Sequence, residues 1–136
     1  MNSMLTLDNA KHIAAAAREE AAKNGWKVVI AILDDGGHLI YLERMDGTQK
    51  ASSRIAEEKG RTAILYKRPT KLLEDAVNGG RASLLSLPGA VAVDGALPLV
   101  RDGEFLGAIG VSGVHSHQDG FIAAAGAACF EQLGRP

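Results

Sequence analysis

Two hairpin signatures constrain this chain more than any other feature. In the first, the apolar run Lys27-Val-Val-Ile-Ala-Ile-Leu33 meets Asp34-Asp35-Gly36-Gly37, followed by the weakly alternating His38-Leu-Ile-Tyr-Leu-Glu-Arg44. In the second, Leu97-Pro-Leu-Val-Arg101 and Glu104-Phe-Leu-Gly-Ala-Ile-Gly-Val111 flank Asp102-Gly103. Aspartate and glycine tolerate the positive φ that tight turns between strands require. Consecutive hairpins make an antiparallel sheet and argue against the regular βαβ alternation of a doubly wound fold. The first strand has few polar positions, so it is expected at the sheet centre, covered on both faces. Pro98 cannot donate to a ladder and belongs at a strand start, a bulge or an edge.

Helical segments surround these hairpins. Leu7 to Asn24 carries Ile13, Ala14, Ala17, Ala21 and Ala22 at spacings of three and four, with Thr6 as N-cap and Gly25 beyond the end. A second helix is expected from about Gln49 to Leu65, and a short one from Lys71 to Val77 after Pro69 and Thr70. Ala90-Val-Ala-Val93 reads as a short strand. Ser116-His-Gln-Asp119 has the spacing of a capping box and opens a last helix through Leu133. The order is αββα(α)βββα, an α+β fold expected to form one domain over residues 1–136.

Composition narrows the function. The chain has 136 residues and is 46% hydrophobic, with 22 alanines and 16 glycines but only one Trp, two Tyr and three Phe. Small side chains favour close approach of backbones, within a subunit or between subunits. Few aromatics and a net charge of −1 argue against a nucleic-acid surface, which needs a basic field and stacking platforms. The apolar runs fall short of the ~20 residues of a membrane span. Met1 to Asp8 lacks the basic and apolar regions of a signal peptide, and the single Cys129 forms no internal disulfide, so a cytoplasmic setting is expected.

Four segments can carry chemistry. Gly107-Ala-Ile-Gly110-Val-Ser112-Gly113 leads from a strand toward a helix N-terminus. It either packs tightly or offers backbone N–H groups to an anion. His115 and His117 flank Ser116 just before that helix. They are either exposed cap residues or acid/base groups and metal or haem ligands, with Asp119 able to orient one of them. Arg44, followed by Met45-Asp46-Gly47, presents a planar fork to a carboxylate or forms a surface pair. Asp34-Asp35 reads mainly as turn chemistry, and Cys129 as a small packed hydrophobe.

Together these segments resemble the GlcG/HbpS family, haem-binding or haem-degrading proteins related to the C-terminal domain of PduO. The resemblance runs from about Leu5 to Leu133. It rests on Asp34-Asp-Gly-Gly37, Arg44-Met-Asp-Gly47, Ser52/Ser53 to Lys59, Thr62-Ala63, Gly95 with Pro98, and Gly107 to Gly113 followed by Gln118-Asp119. It implies a profilin-like sandwich with a five-stranded antiparallel sheet. It also implies homo-oligomers, commonly octamers built from dimers, and haem or iron binding in some relatives. Other relatives sit beside catabolic enzymes. Many relatives carry Gly-Gly where this chain has Asp94-Gly95, and small residues where it has Val114-His115-Ser116-His117.

The pocket is expected between the Gly107–Gly113 strand end, the 115–119 helix start and the Arg44-Met-Asp46 loop. Asp46, Pro98, Gly110, Ser112 and Gly113 are candidate ligand contacts. In a haem or iron site His115 or His117 would ligate the metal, and Arg44 or Lys59 would pair with propionates. In an enzyme acting on a small carboxylate, Arg44 would clamp it. The amides of Gly110 to Gly113 would then hold an oxyanion, and a histidine would move the proton. A third reading is a non-catalytic accessory protein.

Overall fold

The computed structural model describes residues 5–134, so Met1–Met4 of the leading segment and the last two residues lie outside the described residues. The elements are α1 (Leu7–Lys23), β1 (Val29–Asp34), β2 (Leu39–Arg44), α2 (Ala51–Leu65), α3 (Thr70–Asn78), a 3-10 segment (Ala82–Ser86), β3 (Ala96–Arg101), β4 (Glu104–Ser112) and α4 (Ser116–Gln132). The four strands form one antiparallel sheet in the order β2-β1-β4-β3.

Both hairpins form where turn chemistry places them. Asp34 Oδ1 accepts the N–H groups of Gly36 and His38 at 2.9 Å each, so this carboxylate builds the turn. Asp102 and Gly103 both have positive φ, +51° and +81°, as a two-residue hairpin turn demands. β1, apolar from Val29 to Leu33 and closed by Asp34, is central and buried along its apolar run. Pro98 lies in the edge strand β3, where a missing donor is tolerated.

The expected five-stranded sheet has four strands. Ala90–Val93 pairs with no strand, because α2 takes over its backbone. Val91 N–H donates to Thr62 Oγ1 at 2.9 Å, and that hydroxyl lies 3.1 Å from the Gly89 carbonyl. Glycines in positive φ, Gly89 (+66°) and Gly95 (+137°), turn the chain on either side of this stretch.

The two faces of the sheet are built differently. On one, α1 and α4 pack together over Ile30, Ile32, Leu99, Leu106, Ile109 and Val111, adding Ile13, Ile122 and Phe130. On the other, α2 lies on small residues: Ala31, Ala96, Ala108 and Gly110, met by Ala56, Gly60 and Ala63. Here the helix sits close to the sheet. A Cβ on Gly110 would stand 2.1 Å from the Ala56 carbonyl oxygen and 2.7 Å from Gly60 N. Close approach within the subunit accounts for the alanines of α1: Ala10, Ala14, Ala17 and Ala21 are fully buried in this chain's own core, between α4 and the sheet.

Candidate functional site

Backbone register gathers most of the sequence candidates at one end of the sheet. Val29, at the start of β1, pairs with Arg44 on one side and Ser112 on the other. The three chains continue side by side past the last ladder bonds. Met45 N–H donates to the Val28 carbonyl, and Gly113 lies so close to Lys27 and Val28 that a Cβ there would fall 2.4 Å from the Lys27 carbonyl oxygen. Residues 45–47, 27–28 and 113–115 therefore lie abreast, the outer two about 10 Å apart at ordinary strand spacing. Gly107 lies elsewhere. It pairs with Asp34 near the β1–β2 turn, and its missing side chain clears the Leu33 carbonyl. Pro98 pairs with Ala108, about 13 Å along β4 from Ser112.

His115 and His117 are exposed, their rings nearly parallel (7°) with centroids 5.9 Å apart. The cap of α4 is His115, one residue before the expected Ser116, and its N–H donates to Gln118 Oε1 at 3.3 Å. Beside them Trp26 and Phe121 meet edge to face at 6.3 Å, with Phe121 56% exposed. Two of the chain's few aromatics thus form an apolar wall at this end, and Trp26, Met45 and Val114 are half-buried against the core. Among the described residues, no group of three His, Cys, Asp or Glu side chains is placed to hold a metal ion, so Asp119 does not complete a bare metal site with the histidines.

Shifting the cap to His115 leaves Asp119 for another partner. Its Oδ1 accepts the Val114 N–H at 3.1 Å and its Oδ2 accepts from Lys59 Nζ at 3.0 Å. Lys59 also donates to the Val111 carbonyl at 3.1 Å. Both side chains are 2% exposed, so Lys59 is no surface partner for propionates in this conformation. Burial pushes the Asp119 carboxyl above its ordinary range, and the Lys59 ammonium pulls it back. Gly95 makes the pair possible, since a side chain there would meet Lys59 Nζ at 2.7 Å.

Asp94 joins this cluster without having been singled out as a site residue. Its carboxylate stands against Gly120 in the first turns of α4, and its N–H donates to Glu74 Oε1 at 3.0 Å. Burial and the nearby Glu74 charge raise its pKa. The only sequence signal was the departure at Asp94-Gly95 itself.

Part of the expected oxyanion hole, and the amides that follow it, are engaged elsewhere. Val111 N–H bonds the Gly95 carbonyl, Val114 N–H bonds Asp119, and His115 N–H bonds Gln118. Gly110 is packed against Gly60, and Ser112 Oγ lies 3.2 Å from Ser52 Oγ in the interior. Gly110 and Ser112 thus lie beneath the site and do not line it.

Arg44 and Asp46 border a shallow cleft of about 620 Å3 with Arg18, Lys27, Tyr41, Glu43 and Met45. Glu43 is held by Arg18 and by the Tyr41 hydroxyl, the latter at 2.9 Å.

The match to the family described as haem degrading protein, HbpS-like, covers residues 5–128. Protein GlcG of Escherichia coli K12 is 46% identical over 109 residues, 80% of this chain and 81% of that protein. A crystal structure of Streptomyces reticuli HbpS superimposes with a TM-score of 0.87 at 32% identity, covering 99% of this chain and 90% of that one. The structure of a PduOC–haem complex does so with a TM-score of 0.84 at 30% identity, covering 93% and 94%. By sequence and by fold, this chain belongs to the GlcG/HbpS family.

Proposed function

We propose that this protein binds haem at the end of the sheet where His115 and His117 stand. The carrying observation is the pair of exposed, parallel imidazoles beside the Trp26–Phe121 wall. A bare metal ion needs three or four protein donors. Haem supplies four nitrogens of its own and asks the protein for one or two axial ligands, which imidazole provides. When bound, the iron would supply redox and ligand-binding chemistry. This chain's own residues supply an axial nitrogen from His115 or His117, an apolar wall, and the Arg44 guanidinium at the rim. The family description and the haem-bound PduOC relative support the reading.

Haemin titration tests it. The expected result is a shifted, saturable Soret band that disappears in the His115→Ala/His117→Ala double variant. An unshifted spectrum, or one that both histidines can leave without effect, overturns it. The rival reading, an enzyme with an oxyanion hole at Gly110 to Gly113, has less support, because the Val111 N–H is taken by the Gly95 carbonyl and Gly110 is packed under α2.

The same proposal includes assembly as a homo-oligomer built from dimers, as an octamer, and a cytoplasmic role beside a catabolic pathway. Exposed Leu72, Leu85, Leu87 and Val93 around α3 and the 3-10 segment support assembly. Light scattering on the purified chain reads the number of subunits, and a monodisperse monomer overturns that part. Among the described residues, no helix is long and apolar enough to cross a membrane.

A further inference from the structure

We propose that Lys27 and Arg44 form a two-cation clamp for a ligand bearing two carboxylates. The inference deepens the haem reading and rests on it for one of its two ligand sources. Four observations carry it. Lys59, the other cation considered for this role, is buried against Asp119 and Val111. Lys27 and Arg44 border the same cleft. Among the cleft's charges, Glu43 is engaged by Arg18 and Tyr41, which leaves Asp46 alone against two cations.

The fourth observation concerns placement. The Lys27 side chain lies across the turn at Gly47, whose φ is +88°. Its Nζ stands 3.1 Å and its Cδ 3.0 Å from where a Cβ on residue 47 would be. The ammonium is thus laid over the Arg44-to-Gly47 loop, in space that a side chain at 47 would take. Residues 27–28 also run between this loop and the segment leading to His115. A ligand reaching from the histidines to Arg44 therefore crosses Lys27. A guanidinium offers a planar fork to one carboxylate, and an ammonium offers a point charge to a second.

Two sources share this chemistry: the propionates of a tetrapyrrole and a free dicarboxylate. The experiment titrates the full-length protein with haemin, with haemin dimethyl ester, and with glutarate followed by NMR. Wild type is compared with Lys27→Gln, Lys27→Arg and Arg44→Gln. These are exposed positions, so the variants are expected to fold. Lys27→Gln should weaken haemin about fivefold, the upper range for an exposed charge pair. The Soret position should not move, Lys27→Arg should restore affinity, and the ester should bind wild type and Lys27→Gln alike.

Equal haemin affinity in wild type and Lys27→Gln overturns the clamp while leaving histidine-dependent haem binding intact. An ester that loses as much as haemin does the same. If neither tetrapyrrole gives a histidine-dependent Soret shift, the haem reading fails and glutarate decides. Shifts at residues 27 and 44 that vanish in Lys27→Gln support the clamp for a free dicarboxylate, and their absence overturns it.

Discussion

Lys59 and Asp119 are 60 residues apart in sequence and meet at 3.0 Å, each side chain 2% exposed. The first projects from α2 and the second from α4, helices on opposite faces of the sheet. The pair thus joins the two helical layers at the Gly95–Val111 edge, directly beneath the histidine-bearing cap.

Removing one partner strands the other charge in the interior. Asp119→Ala is expected to destabilise the fold by about 3–5 kcal/mol, read from urea denaturation. The double variant Lys59→Met/Asp119→Leu should recover most of that loss, because two apolar side chains of similar size carry no desolvation cost. A single variant less than about 1 kcal/mol from wild type would show that the pair is not a structural tie.

Gly110→Ala separates packing from ligand binding. The added methyl would meet the Ala56 carbonyl and the Gly60 backbone, neither of which is a flexible side-chain end. Overpacking of this kind costs about 1–3 kcal/mol or more. The expected outcome is a lowered denaturation midpoint with haemin affinity per folded molecule unchanged. Full stability with lost affinity would return Gly110 to the ligand site.

What could be read in the sequence was what local chemistry dictates. Asp34-Asp-Gly-Gly37 and Asp102-Gly103 specify their turns within a few residues, so both hairpins and the central position of β1 followed. Ala90–Val93 has the composition of a strand, but it is held by Thr62 some 29 residues away, a contact without local signature. Lys59 precedes Gly60 in an otherwise amphipathic helix, and nothing nearby says that its charge is buried. The α4 cap was placed one residue late because Ser116 and Asp119 fit a capping box better than His115 and Gln118 do. That one-residue shift changes Asp119 from a cap into the partner of Lys59.

Asp94 should make stability depend on pH with an unusual sign. Its surroundings are Glu74 and Lys71 on α3, Lys59 on α2 and Asp119 on α4, and burial together with Glu74 raises its pKa above the ordinary 3.8. A carboxyl raised in this way binds its proton more tightly in the folded chain. Its contribution is present below the ordinary value and is lost as pH rises through the folded value. Asp94→Asn, which mimics the protonated group, should therefore be more stable than wild type at pH 7 by about 1 kcal/mol. The gap should close as pH falls toward 4. Thermal melts from pH 4 to 8 measure it, and a gap that does not vary with pH would refute the assignment.

Arg101 tests how the far end of α4 is held. It ends β3, and its Nη2 donates to the Phe130 and Leu133 carbonyls at 2.6 and 2.7 Å. The guanidinium lies over the Phe130 ring at 4.3 Å. Helix C-terminal carbonyls have no partners within the helix, so a cation there both caps them and meets the negative end of the dipole. Its Nε is buried without a hydrogen-bond partner, which offsets part of the gain. Arg101→Ala is expected to cost about 2–3 kcal/mol and to speed amide exchange in the last turn of α4. Arg101→Lys should recover less than half of that, since an ammonium lacks the planar fork that stacks on Phe130 while reaching two carbonyls. If the lysine variant matched wild type in both stability and exchange, charge alone would account for the contact, and the stacked geometry would contribute nothing.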